Sequence, residues 1–79
     1  MALRFIGIDP NTGGGNCPAV WVDEERGEIV LQGWKADEAT TARTRQDSPL
    51  PDTEAVIRLP VRMAEIVRKA LDDAEGSSS

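Results

Sequence analysis

Ala19-Val20-Trp21-Val22-Asp23-Glu24-Glu25-Arg26-Gly27-Glu28-Ile29-Val30-Leu31-Gln32 is the stretch on which the fold turns. Two runs rich in β-branched residues flank a charged segment whose glycine comes late, where a hairpin turn needs a left-handed residue. A β-hairpin is therefore expected over residues 19–36. With residues 24–27 as the loop, Asp23 faces Glu28, Val22 faces Ile29 and Val20 faces Leu31. Side chains alternate along a strand, so Val20, Val22, Ile29 and Leu31 share one face and Trp21, Val30 and Trp34 share the other. A loop one residue shorter would turn the second strand over.

Upstream, Leu3 to Asp9 is a short apolar run ending at Pro10, which argues for a first strand. Residues 10–18 are dense in turn formers, with three successive glycines, and read as a loop. Downstream, residues 37–53 are polar and carry Ser48-Pro49-Leu50-Pro51-Asp52, too proline-rich for a regular element. Asp37 could cap a turn or two of helix through Glu38 to Ala42, but the threonines weaken it, so a long loop is expected there. A loop of that length is uncommon unless it is functional or disordered.

Glu54 to Leu59 reads as a further strand, and Pro60 suits the first turn of a helix, where its missing N–H costs nothing. Met63, Ile66, Val67, Ala70, Leu71 and Ala74 then form one helical stripe. Arg62, Glu65, Arg68, Lys69, Asp72 and Asp73 cover the other side, with Glu65 and Lys69 spaced for an i, i+4 pair. Gly76 is expected to end the helix and residues 77–79 to form a disordered tail. The expected architecture is α+β, one domain over residues 1–76. In it a small antiparallel sheet, the hairpin plus flanking strands, is packed by one C-terminal amphipathic helix.

A chain of 79 residues buries only about 60% of the surface its unfolded form exposes, so its own core is marginal. One cysteine and no histidine leave neither an intrachain disulfide nor the ligand set of a structural zinc site. Self-association or a partner chain is the remaining supplement. A net charge of −5 disfavours direct contact with nucleic acid. The opening residues carry no apolar core followed by a small-residue cleavage site, and no run approaches the length of a membrane span. With an unpaired cysteine, this leads to an expected cytoplasmic location and no membrane partner.

Catalytic readings find few residues to work with. Phe5-Ile6-Gly7-Ile8-Asp9-Pro10, a strand ending in an aspartate, resembles the opening of RuvC-like and other ribonuclease-H-fold nucleases. In that family the first aspartate binds a divalent metal with carboxylates from later strands, which would give Asp9 that role. The chain is short of the later strands and helices, and one carboxylate cannot hold a metal pair. The competing expectation is an aspartate turn at a strand end. Thr12-Gly13-Gly14-Gly15-Asn16 could cradle an anion, yet it lacks the Gly-Lys-Ser/Thr ending of a nucleotide-binding loop. Cys17 has no histidine to activate it and reads as a small, partly buried packing residue. Asp23-Glu24-Glu25 reads as a solvated hairpin tip. No catalytic, cofactor-binding or metal-binding residue is assigned, and no cofactor is expected.

The residues of most interest are Trp21, Val30 and Trp34, since tryptophan is enriched at binding hot spots. They are expected to form a partner or dimer interface, or else a second core side covered by the first strand or the long loop.

Gly15-Asn16-Cys17 followed by a hairpin, with Val56-Ile57-Arg58-Leu59-Pro60 leading into a helix, resembles the BldB-type family of small acidic actinobacterial proteins. The first strand, the insert over residues 36–53 and the absence of a tryptophan in the helix depart from the family pattern. Ile6-Gly7-Ile8-Asp9-Pro10 with Gln32-Gly33-Trp34-Lys35-Ala36-Asp37 further resembles a set of small actinobacterial proteins. The resemblance implies a non-enzymatic accessory component of a regulatory system, self-associating, with a helix-turn-helix regulator as partner. A metal-dependent nuclease-like or nucleotide-binding domain using Asp9, and an antitoxin-like neutraliser of a basic partner, are the alternatives.

Overall fold

The computed structural model describes residues 2–11 and 17–77. The hairpin forms in the expected register. β2 (Ala19–Asp23) and β3 (Glu28–Gln32) pair antiparallel with Asp23 opposite Glu28, Val22 opposite Ile29, Trp21 opposite Val30 and Val20 opposite Leu31. Gly27 has φ +65°, the left-handed conformation this turn needs and glycine adopts without strain. Asp23 accepts the Arg26 backbone N–H at 3.2 Å, which ties the loop down.

β1 (Leu3–Ile8) adds to the other side of β2, also antiparallel, to give a three-stranded sheet in the order β1-β2-β3. The register shifts between Phe5 and Gly7, so Ile6 is an extra residue and the edge strand kinks there. The aliphatic hairpin face is the core at Val20, Val22 and Ile29 but not at Leu31, which is 42% exposed. Val20 and Val22 are fully buried with Met63 and Ala70, and Ile6, Ile29, Leu59, Ile66, Val67 and Ala74 pack around them. Burying Met63, Val20 or Val22 stabilises by about 1.5–3 kcal/mol each.

A 3₁₀ turn (Val61–Met63) and α2 (Ala64–Ser77) supply the helical side of that core. Pro60 stands at the cap of the 3₁₀ turn, one position before the first turn proper, and its carbonyl accepts from Met63 N–H at 3.0 Å. The apolar stripe faces the sheet as expected except at Leu71, which is 44% exposed. Glu65 pairs with Arg68 at 2.8 Å, and Lys69 with Asp73 at 3.5 Å, in place of the expected Glu65–Lys69 pair. The helix continues through Gly76 to Ser77, past the expected stop. The fold is α+β.

Two expectations fail downstream of the hairpin. The hairpin ends at Gln32 and not at residue 36, because its partner Ala19 is preceded by Pro18, which has no N–H to extend the ladder. The chain instead passes through Gly33 into β4 (Trp34–Lys35), which pairs with β5 (Ile57–Arg58) as a second, two-stranded sheet. Gly33 permits the switch, since a Cβ there would stand 2.5 Å from the Arg58 carbonyl oxygen. The expected strand over residues 54–59 shrinks to β5, with Ala36 N–H donating to the Val56 carbonyl at 3.3 Å.

Secondly, the segment read as a loop, residues 37–53, contains α1 (Glu38–Arg45). Asp37 caps it by accepting the Thr40 N–H at 2.8 Å, and Arg43 pairs with Asp47 at its end. Arg58 donates to the Thr40 hydroxyl at 2.6 Å, tying α1 to β5. No residue of α1 is buried. The unit of β4, α1 and β5 packs lightly on the rest, and the radius of gyration, 14.0 Å, exceeds the roughly 12 Å of a compact domain this long.

Candidate protein-interaction surface

The sheet face opposite α2 follows from the register. Residues paired directly across strands share a face, so three rows cross it: Leu3–Asp23–Glu28, Phe5–Trp21–Val30 and Ile8–Ala19–Gln32. Among the described residues no helix packs on this side, and α2 lies on the other. Phe5 is 56% exposed, Ile8 45% and Leu3 42%, while Trp21 and Val30 are half-buried. The Phe5 and Trp21 rings meet edge to face, centroids 6.1 Å apart at 62°, a geometry favoured by the ring quadrupoles.

The first strand therefore widens this face at its edge instead of covering it. Trp21 and Val30 lie on it as expected. Trp34 does not share their strand pair: it is half-buried in β4, opposite Arg58 in the second sheet. Phe5, Leu3 and Ile8 were missed by sequence reasoning, although an alternating apolar first strand next to the hairpin contained the signal.

Asp9 closes a second cluster at the end of β1. Its side chain is fully buried and accepts two hydrogen bonds from Arg62, Nε to Oδ1 at 2.7 Å and Nη2 to Oδ2 at 2.6 Å. Oδ1 also accepts the Asn11 N–H at 3.1 Å, and the Asp9 N–H donates to the Pro18 carbonyl at 2.8 Å. The hydrogen bonds that Arg62 donates to Asp9, reinforced by the carboxylate charge, raise the Arg62 guanidinium above its ordinary value. This arrangement fastens the end of β1 to the start of β2 and to the turn that begins α2. A metal at Asp9 would have to displace a bidentate guanidinium. Among the described residues, no three acidic or cysteine side chains gather within reach of one ion.

A third cluster joins the hairpin to the far end of α2. Arg4 donates to Glu24 at 2.7 Å and to Asp73 at 3.2 Å. The hydrogen bond to Glu24, then that to Asp73, raises Arg4, and the Arg4 bond lowers the Asp73 carboxyl. Cys17 is half-buried, and its carbonyl accepts from Gln32 at 2.9 Å. The possible anion cradle at residues 12–16 lies outside the described residues. No helix is long and apolar enough to cross a membrane among those described. No family model, no curated protein and no solved structure matches the chain.

Proposed function

We propose that this chain is a non-enzymatic protein-binding module that uses the open sheet face as its contact surface. One observation carries the proposal: an apolar row, Phe5–Trp21–Val30, crosses a sheet face that α2 leaves uncovered, with Phe5 more than half exposed. Contiguous apolar surface of this kind marks interaction sites, and aromatic residues dominate binding energy there.

The module acts in the cytoplasm as an accessory component of a bacterial regulatory system and contacts a helix-turn-helix regulator. These finer features follow from the BldB-type resemblance and the small core. The nuclease-like alternative is not favoured, because the buried Asp9 carboxylate is already committed to Arg62.

The test is capture of partners from the producing cell by the tagged chain and by Phe5→Ala and Trp21→Ala variants. A partner identified by mass spectrometry is then titrated in purified form. A partner whose affinity falls at least tenfold in both variants supports the proposal. Equal affinity for all three chains, with melting temperatures unchanged, overturns it.

A further inference from the structure

We infer that the open sheet face receives a cationic amphipathic segment of another protein, and that a second copy of this chain is not its occupant. The inference rests on the protein-binding proposal above and names the chemistry of the partner.

Charge is distributed unevenly about the apolar row. In the row nearest the hairpin turn Leu3 is followed by Asp23, buried and tied to Arg26, and then by the exposed Glu28, and Glu24 and Glu25 stand in the turn. Behind them α2 ends in Asp72, Asp73 and Glu75, brought alongside by the Arg4 bridge from Glu24 to Asp73. The cations in this region are Arg4, Arg26, Arg68 and Lys69. Seven carboxylates against four cations leave three of the chain's five net negative charges at this end. The three rows of the open face contain no lysine or arginine.

A ligand complementary to this surface must supply apolar side chains for Phe5, Trp21 and Val30 and positive charge beside them, toward the hairpin. An amphipathic helix or strand with lysines or arginines along one border does both. A second copy supplies the apolar part alone. Its net charge has the same sign, so the long-range field opposes its approach and favours a basic partner.

The probe is a synthetic amphipathic peptide of about 14 residues, leucines on one helical face and lysines on the other, titrated into the full chain by calorimetry. Two controls carry glutamate in place of lysine, or the same composition scrambled so that no apolar stripe forms. The lysine peptide should bind at least tenfold more tightly than either control, and more weakly as salt rises from about 0.1 M to about 1 M. Phe5→Ala should weaken it roughly tenfold. Glu25→Gln with Glu28→Gln should weaken it several-fold, while the equally charged pair Asp52→Asn with Glu54→Gln leaves it unchanged.

Equal weakening by the two neutralised pairs would mean bulk attraction only and overturns the inference. So does binding that ignores both Phe5→Ala and Trp21→Ala in folded protein. A stable dimer that Phe5→Ala dissociates and the lysine peptide does not would give the face to a second copy. If the peptide fails while a cellular partner is still captured through Phe5 and Trp21, this inference fails and the protein-binding proposal stands.

Discussion

Replacing Asp9 by asparagine separates a structural carboxylate from a catalytic one. In the native site Oδ1 accepts from Arg62 Nε and from Asn11 N–H, and Oδ2 accepts from Arg62 Nη2 at 2.6 Å. Asparagine keeps the shape but has one acceptor and one donor. If its oxygen stays on the Oδ1 side, its NH₂ group points at the Arg62 Nη2 donor; if the amide turns, the NH₂ group meets the other two donors. At least one charge-assisted hydrogen bond is lost, about 1.5–3 kcal/mol, and a buried donor is left unpaired, about 1–3 kcal/mol more. Arg62 is 42% exposed and can recover some hydration, so we set the net loss at about 2–4 kcal/mol. A domain of this length has roughly 4–12 kcal/mol in all. The melting temperature should fall by roughly 8–30 °C, followed by circular dichroism at neutral pH. In an Arg62→Met background the same substitution should cost far less, since its partner is already gone. A carboxylate held for metal chemistry behaves oppositely: neutralising it leaves stability unchanged or raised. An Asp9→Asn chain melting within about 2 °C of the parent would refute the structural role and reopen the nuclease-like reading.

Three further outcomes test the fold around the candidate surface. Met63→Ala should cost about 2–5 kcal/mol, whereas Phe5→Ala, half exposed and held mainly by its contact with Trp21, should cost under about 2 kcal/mol; urea unfolding compares them. Gly33→Ala places a Cβ against the Arg58 carbonyl oxygen, so β4 and β5 should separate at a cost of about 1–3 kcal/mol. Hydrogen exchange should then speed up at Ala36 while Val22 keeps its protection. Asp37, held low mainly by its hydrogen bonds to Thr40, and Asp73, held low mainly by Arg4, stabilise the fold above the ordinary aspartate value of 3.8. That stability is lost as pH falls below 3.8 through their lowered values. Asp37→Asn keeps an acceptor at the helix cap, so ellipticity at neutral pH should barely change while Asp37's share of the acid-induced loss disappears. An unaltered acid profile would assign that loss to other groups.

The three-stranded core was legible because two independent patterns agreed on it. Hairpin alternation placed Val20, Val22 and Ile29 on one side, and the helical stripe from Met63 to Ala74 supplied an apolar face of matching size. Each half explains what the other buries. Where only one pattern existed, the reading failed. α1 buries no residue, so it carries no apolar periodicity, and its threonines argue against a helix. It is held by local hydrogen bonds: the Asp37 cap, the Arg43–Asp47 pair and Arg58 on the Thr40 hydroxyl. Such bonds depend on geometry that spacing alone does not display. The strand switch at Gly33 was hidden for a similar reason, since it depends on the Arg58 backbone 25 positions away in the sequence.

The candidate surface was half legible for a reason that bears on its role. Trp21 and Val30 were identified because the turn set their register, while Phe5 needed the pairing of β1 with β2, a contact that no local motif announces. Once β1 joins the edge, the alternating residues Leu3 and Phe5 must fall beside Asp23 and Trp21. Alternation then sends Ile6 to the core, and the bulge keeps Gly7 on the core side opposite Val20, so that Ile8 returns to the open side. One irregularity thus serves both faces. A strand selected only to complete the core would not need apolar side chains at Leu3, Phe5 and Ile8, all outward and all more than 40% exposed. Their presence on the side that α2 does not cover is better explained by an occupant than by the fold, and on that point the binding proposal stands or falls.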